Sequence, residues 1–222
     1  MEITPIAYYR GPLGSKFGLP RQASLVPGLE GRIEFVPPYN VPDALRGLEG
    51  FSRIWVIWGF SESVREDGSW SPTVRPPRLG GNARMGVWAT RSPFRPNFLG
   101  LSALSITDLD FSKPSIGVEG ADLSDGSPIY DIKPYLPYAD AFPHERGGFA
   151  QSAPGSVLEV YVSPAAEGVF SEDKMSVLRR LLSLDPRPSY QRDPSRVYGM
   201  LFEGRNVRFR IIDDKLEIIE IV

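Results

Sequence analysis

The chain is punctuated too often to hold long helices through its first two thirds. Its 222 residues include 22 glycines and 22 prolines. Proline fixes φ and removes a backbone donor, so regular elements between such residues must be short. Strands meet that condition. GRIEFV (31–36) alternates apolar and polar residues, and RIWVIWGF (53–60) is nearly all apolar, the pattern of a strand buried on both faces. RMGVWAT (84–90), LGLSALSIT (99–107), SIGVEGA (115–121) and SPIYDIK (127–133) continue the series. Short strands at this spacing predict a closed or nearly closed barrel in preference to a sandwich.

Past about residue 152 the pattern changes. VLEVYV (157–162) reads as a strand, and Ser171 can cap a helix whose first turn carries Glu172 and Asp173 beside the positive end of its dipole. Met175, Leu178, Leu181 and Leu182 give that helix one apolar face, and Asp185-Pro186 ends it. RVYGMLF (196–202) and NVRFRII (206–212) form a hairpin across Glu203-Gly204-Arg205, with LEIIEI following. The expected organisation is mainly β: a barrel over residues 1–152 and a small α+β unit over 153–222 packed on it.

Composition narrows the chemistry. There are no cysteines, which removes disulfides, thiol nucleophiles and Cys-ligated metal centres. The single histidine, His144, sits in PHERGG and reads as an exposed turn residue, so a Ser-His-Asp triad has little to build on. No apolar run approaches a membrane span, and the N-terminus lacks a basic start followed by an apolar block, so the expected location is the cytoplasm. With a net charge of −2, nucleic-acid binding must come from local clustering. No Rossmann glycine motif and no P-loop is present.

Two clusters can carry chemistry. Between Trp70 and Gly100 stand Arg75, Arg78, Arg84, Arg91 and Arg95 and no acidic residue. Pro76-Pro77, Pro93 and Pro96 hold these arginines on stiff backbone, so each loses less entropy on gripping an anion. Arginine binds phosphate and carboxylate through a fork, so the patch suits a polyanionic or carboxylate-bearing ligand, unless its members pair with acids elsewhere. The second cluster lies in ADLSDGSPIYDIKPYLPYAD (121–140). Asp131, Lys133 and Tyr135 alternate along a strand and share a face, a candidate proton-transfer set or a plain salt bridge.

The blocks GLPRQ (18–22), RGLEGFS (46–52), PTVRPPRLGG (72–81), ATRSPFRPN (89–97) and DGSPIYDIKPYLP (125–137) resemble the TsaA-like (TrmO) family, and DPRP (185–188) through Val197-Tyr198 resembles its C-terminal unit. The resemblance implies a homodimeric S-adenosylmethionine-dependent tRNA methyltransferase, without metal, whose non-Rossmann barrel binds the cofactor. It implies methylation of N6 of threonylcarbamoyladenosine, next to the anticodon. By the same resemblance the cofactor contacts fall on Pro20, Arg21, Gln22, Ser61, Glu62, Arg91, Leu101, Asp122, Leu123, Ser124 and Asp125. Two departures stand out: Phe98 replaces the family's usual proline, and Ser61-Glu62 stands where relatives often carry His-Gln.

On this reading Asp131, or Tyr135 assisted by Lys133, is the candidate base. Arg75, Arg78, Arg84 and Arg95 are assigned to tRNA phosphates and the threonyl carboxylate. Arg187, Arg192 and Arg196 either help grip tRNA or belong to a unit that only braces the barrel. Two alternatives remain from the residues alone. One is a phosphoester hydrolase with metal held by Asp122, Asp125 and Asp131. The other is a non-catalytic RNA-binding barrel stacking bases on Trp55, Trp58 or Trp88, residues otherwise expected in the core.

Overall fold

Twelve strands and two α-helices, joined by short 3-10 turns, make up the computed structural model, which describes residues 2–63, 68–154, 158–187, 191 and 193–222. The strands of the first part are β1 (Ala7–Arg10), β2 (Glu30–Phe35), β3 (Arg53–Gly59), β4 (Thr73–Val74), β5 (Met85–Gly86), β6 (Leu99–Asp110), β7 (Ser115–Glu119) and β8 (Pro128–Pro134), followed by the short helix α1 (Pro137–Asp140). Six of them close a barrel in the order β1-β2-β7-β6-β3-β8, every pairing antiparallel. Closure leaves no free edge. Alternation aims Tyr9, Ile33, Ile54, Val56, Leu104, Ile116 and Ile129 inward, and all of them are buried.

The barrel gains one strand that the sequence pattern does not predict and departs from that pattern at two others. Ala7–Arg10 completes the barrel, although its four residues end at Gly11-Pro12 and give too short an alternation to read. Residues 84–90 are not a barrel strand: only Met85–Gly86 is extended, paired with Thr73–Val74, and a 3-10 turn takes up Val87–Ala89. Strand β3 is fully buried on one face only, because its other side is half covered by Tyr135, whose ring lies 5.6 Å from Trp55, and by Asp140 of α1.

The C-terminal unit contains β9 (Glu159–Val162), α2 (Glu172–Ser183), β10 (Val197–Phe202), β11 (Arg205–Ile212) and β12 (Lys215–Ile221). Its sheet runs β10-β11-β12-β9, with β9 parallel to β12. Ser171 caps α2 as the sequence predicts, its hydroxyl accepting the Lys174 N–H at 3.4 Å. Met175, Leu178, Leu181 and Leu182 are buried against the sheet, each contributing about 1.5–3 kcal/mol by removal from water.

This second core is not confined to the tail. Leu13, Val26 and Leu29 are buried in it, Leu13 forms a β-bridge with Phe202, and the Glu203 N–H donates to the Pro12 carbonyl at 2.9 Å. The C-terminal unit therefore clamps the segment between β1 and β2 that carries Pro20, Arg21 and Gln22. Arg187 is committed internally, its guanidinium paired with Asp185 at 2.8 Å, and Arg196 lies over the Tyr198 ring at 5.4 Å. Arg192 lies outside the described residues.

Candidate functional site

Neighbouring barrel strands β3 and β6 are joined by a long excursion whose two ends are tied by the Phe60 N–H donating to the Phe98 carbonyl at 2.8 Å. The Ser71 N–H reaches the Phe94 carbonyl at 3.1 Å and the Val87 N–H the Pro72 carbonyl at 3.0 Å. The Arg95 N–H donates to Pro93 O at 2.8 Å, and its guanidinium reaches back to Ser92 O at 3.2 Å and Thr90 O at 3.5 Å. The proline-flanked loop is thus stiff, and Arg95 itself helps to hold it. Phe98 lies at φ 50°, and its N–H donates to Arg95 O at 3.2 Å. Proline can do neither, so this departure from the family pattern has a local conformation of its own.

From that loop Arg91 turns to the barrel end, where its guanidinium donates to Gln22 Oε1 at 2.5 Å. It also interacts electrostatically with Asp122, which follows β7. Asp122 Oδ1 accepts the Ser102 hydroxyl at 2.6 Å, and Ser102 Oγ accepts the Trp58 indole N–H at 3.0 Å. Gln22, Arg91, Asp122, Ser102 and Trp58 form one continuous polar array. Burial pushes the Asp122 carboxyl above the usual aspartate range, while the Ser102 hydroxyl, its own backbone N–H, Arg91 and the Ala23 N–H pull it back down. Tyr9, in the barrel core beneath, has its phenol raised by burial and then by the charges of Asp125 and Asp122.

Other residues assigned to the cofactor are placed differently. Pro20 is buried and Arg21 is exposed, its carbonyl accepting the Gln22 amide at 2.5 Å. Leu123 and Ser124 are buried, Ser124 O accepting the Ser127 hydroxyl at 2.8 Å within a tight turn. Asp125 accepts the Gly11 N–H at 3.1 Å, fastening that turn to the end of β1. Ser61 and Glu62 lie on the 3-10 turn after β3, with Glu62 accepting the Lys16 N–H at 2.8 Å. Leu101, 53% exposed, points to the opposite side of β6 from buried Ser102.

Leu101 shares the outer barrel face with Asp131, since both are registered against Ile57 of β3. Asp131 and Lys133 form an ion pair at 2.9 Å, and Asp131 Oδ1 accepts the Ile132 N–H at 2.9 Å. Tyr135 follows on the same face beside Trp55. The shared face expected from alternation is present, but in one chain it lies on the other side of the barrel wall from the Asp122 array.

Among the described residues Arg75, Arg78, Arg84, Arg91 and Arg95 make no ion pair with Asp or Glu, whereas Arg10, Arg32, Arg46, Arg187, Arg208 and Arg210 each do. Arg75 and Arg84 are exposed, and Arg78 donates to Ser152 O and Oγ. The patch is left charged. Of the tryptophans, Trp58 is core and Trp55 half-buried, but Trp88 is 68% exposed, contrary to expectation, and stacks on Trp70. His144 is exposed in its turn.

Residues 8–141 match the tRNA-methyltransferase O N-terminal domain, and residues 156–222 match the TrmO C-terminal domain. The chain belongs to the tRNA-methyltransferase O family. It is 39% identical to the tRNA (adenine(37)-N6)-methyltransferase of Escherichia coli (strain K12) over 98% of this chain and 96% of that protein. It is 44% identical to the protein of the same description from Eikenella corrodens, over 72% of this chain and 91% of that one. The crystal structure of TrmO from Pseudomonas aeruginosa superposes with a TM-score of 0.82 at 28% identity, covering 100% of this chain and 98% of that one.

The family resemblance names Gln22, Arg91 and Asp122, and Trp58 is expected in the core, but Ser102 and its hydrogen bonds to Trp58 and Asp122 are not foreseen from the sequence. The only signal was the inward position of Ser102 in LSALS, a polar residue at a place alternation reserves for the core. The hydrolase alternative needs converging carboxylates. Asp122 is bound to Ser102, Asp125 to Gly11 and Asp131 to Lys133, and no group of three candidate metal ligands occurs among the described residues.

Proposed function

We propose that this protein methylates N6 of the adenosine next to the anticodon of tRNA, using S-adenosylmethionine, and that its substrate adenosine carries a threonylcarbamoyl group. The observation that carries this reading is Arg91: a guanidinium held by Gln22 at 2.5 Å and within electrostatic reach of half-buried Asp122, to which it makes no direct ion pair. Such a donor set fits a ligand bearing a carboxylate, an amino group and hydroxyls. Arg91 and Gln22 would hold the carboxylate end of the cofactor, and Asp122, oriented by Ser102, would accept from its donors.

The cofactor supplies a methyl group on a positively charged sulfur. The chain's own residues position the acceptor and dispose of its proton, since N6 must lose a hydrogen as it gains the methyl. Alignment is the larger contribution, because an in-line displacement gains most from holding its reactants fixed. For the proton, Asp131 is held as an acceptor by Lys133 and the Ile132 N–H, with Tyr135 further along the same face against Trp55. Its place on the outer face suits a homodimer in which that face meets the partner's Asp122 array. Exposed Leu101, Tyr138 and Phe142, on or next to that face, support such an interface. Arg75, Arg78 and Arg84 supply phosphate contacts, and cytoplasmic tRNA is the expected pool.

The test is direct. Purified protein with labelled S-adenosylmethionine is given tRNA with and without the threonylcarbamoyl group, and digested nucleosides are identified by mass spectrometry. Methylated threonylcarbamoyladenosine only from the modified tRNA is the expected result. Methylation of unmodified adenosine would overturn the substrate, and no transfer to either would overturn the function.

A further inference from the structure

Trp88 and Trp70 are the feature that cofactor binding leaves unexplained. Trp88 is 68% exposed and Trp70 43%, their ring centroids 5.9 Å apart at an interplanar angle of 22°. Large aromatic surface left in water is costly, and here it occurs as a stacked pair. The Arg95 guanidinium lies over the Trp88 ring at 5.9 Å. The pair is fixed by backbone: the residue after Trp70 donates to Phe94 O, and the residue before Trp88 donates to Pro72 O. A platform already held in place loses little entropy when something lands on it.

Charge decides what should land. The excursion bearing both rings contains five arginines and no acidic residue from Trp70 to Gly100, so its complement is a polyanion with flat faces. Position narrows it further. Trp88 is three residues from Arg91, so their Cα atoms are at most about 11 Å apart, the span of roughly three stacked nucleotides. We propose that the Trp70–Trp88 pair is a stacking platform for an unpaired RNA base close in sequence to the adenosine being methylated, with Arg75 and Arg84 on its flanking phosphates. Single-stranded loops are read in this way, by bases splayed onto aromatic rings. Trp88 is thus a positioning residue, and this assignment rests on the tRNA methyltransferase reading.

The experiment uses a synthetic anticodon stem-loop carrying the modified adenosine, with 2-aminopurine placed in turn at each other loop position. Binding to the wild-type protein should quench the probe at one position near the target adenosine. Trp88→Ala should abolish the quenching and weaken RNA binding by roughly 5- to 150-fold. Its S-adenosylmethionine affinity and the salt dependence of RNA binding should not change. Trp88→Phe should recover most of the loss, as a merely structural role would not require. Arg75→Ala or Arg84→Ala should instead lower the log-log salt slope by about 0.7–0.9 while leaving the quenching intact. Wild-type protein that methylates the stem-loop without quenching at any position would overturn the platform alone, as would a Trp88→Ala protein that binds and methylates like wild type. Failure of the wild type to bind or methylate the RNA would overturn the methyltransferase reading and the platform with it.

Discussion

Ser102 Oγ donates to Asp122 Oδ1 at 2.6 Å, joining a buried barrel residue to the half-buried carboxylate at the barrel end. Burial raises the proton affinity of that carboxyl, and the hydrogen bond opposes the effect. The folded state therefore binds a proton more tightly than the unfolded state does. Stability contributed by Asp122 is greatest below the ordinary aspartate range and declines as pH rises towards the raised value, then levels off. Asp122→Asn should remove that decline in a series of thermal melts across acid pH. The same variant should weaken S-adenosylmethionine binding at neutral pH by roughly 10- to 100-fold, the size of a lost charged hydrogen bond.

Arg91→Ala should weaken calorimetric binding of S-adenosylmethionine by roughly 10- to 100-fold, because its fork is the cation facing the expected carboxylate. Arg91→Lys should recover only part of this, since an ammonium cannot reproduce the two-pronged contact. Unchanged binding by Arg91→Ala would remove Arg91 from the cofactor site.

Asp131→Asn should cost no more than about 1 kcal/mol of stability, because its ion pair with Lys133 is solvent-exposed. A large fall in turnover would then report chemistry and not misfolding. Activity at the wild-type rate would exclude Asp131 as the base. If the site is shared between protomers, an equal mixture of inactive Asp131→Asn and Arg91→Ala chains, unfolded and refolded together, should regain about a quarter of wild-type activity. Half of the dimers are then mixed, with one intact site in each. No recovery would place Asp131 and Arg91 in the same protomer's site.

Leu178→Ala opens a cavity in the core that also receives Leu13, Val26 and Leu29, and should destabilise the protein by about 2–5 kcal/mol in denaturant titration. Because that core clamps the segment bearing Gln22, the variant should also bind S-adenosylmethionine less tightly under conditions where it remains folded. Loss of stability with full cofactor affinity would show that the C-terminal unit does not act through this segment.

Much of the fold was legible where one rule governed the residues. Alternation located β2, β6, β7 and β8, and the helical spacing of Met175, Leu178, Leu181 and Leu182 located α2 with its Ser171 cap. Where several rules competed, local pattern failed. RMGVWAT has strand composition, yet the loop's own hydrogen bonds turn its chain at Val87. Alternation also placed Asp131, Lys133 and Tyr135 on one face correctly, but could not say on which side of the barrel wall that face would lie.

By itself the sequence determined the short-strand grammar, the cysteine-free chemistry, the proline-stiffened arginines and, through its long matching blocks, the family. Those depend on residues near one another in the chain. Tertiary structure alone decided that Gln22, Arg91, Asp122, Ser102 and Trp58 meet, that the tail's core reaches back to Leu13, and that Trp88 faces water. Barrel closure pairs strands distant in sequence, so these contacts come from register and strand order, which no local spacing encodes.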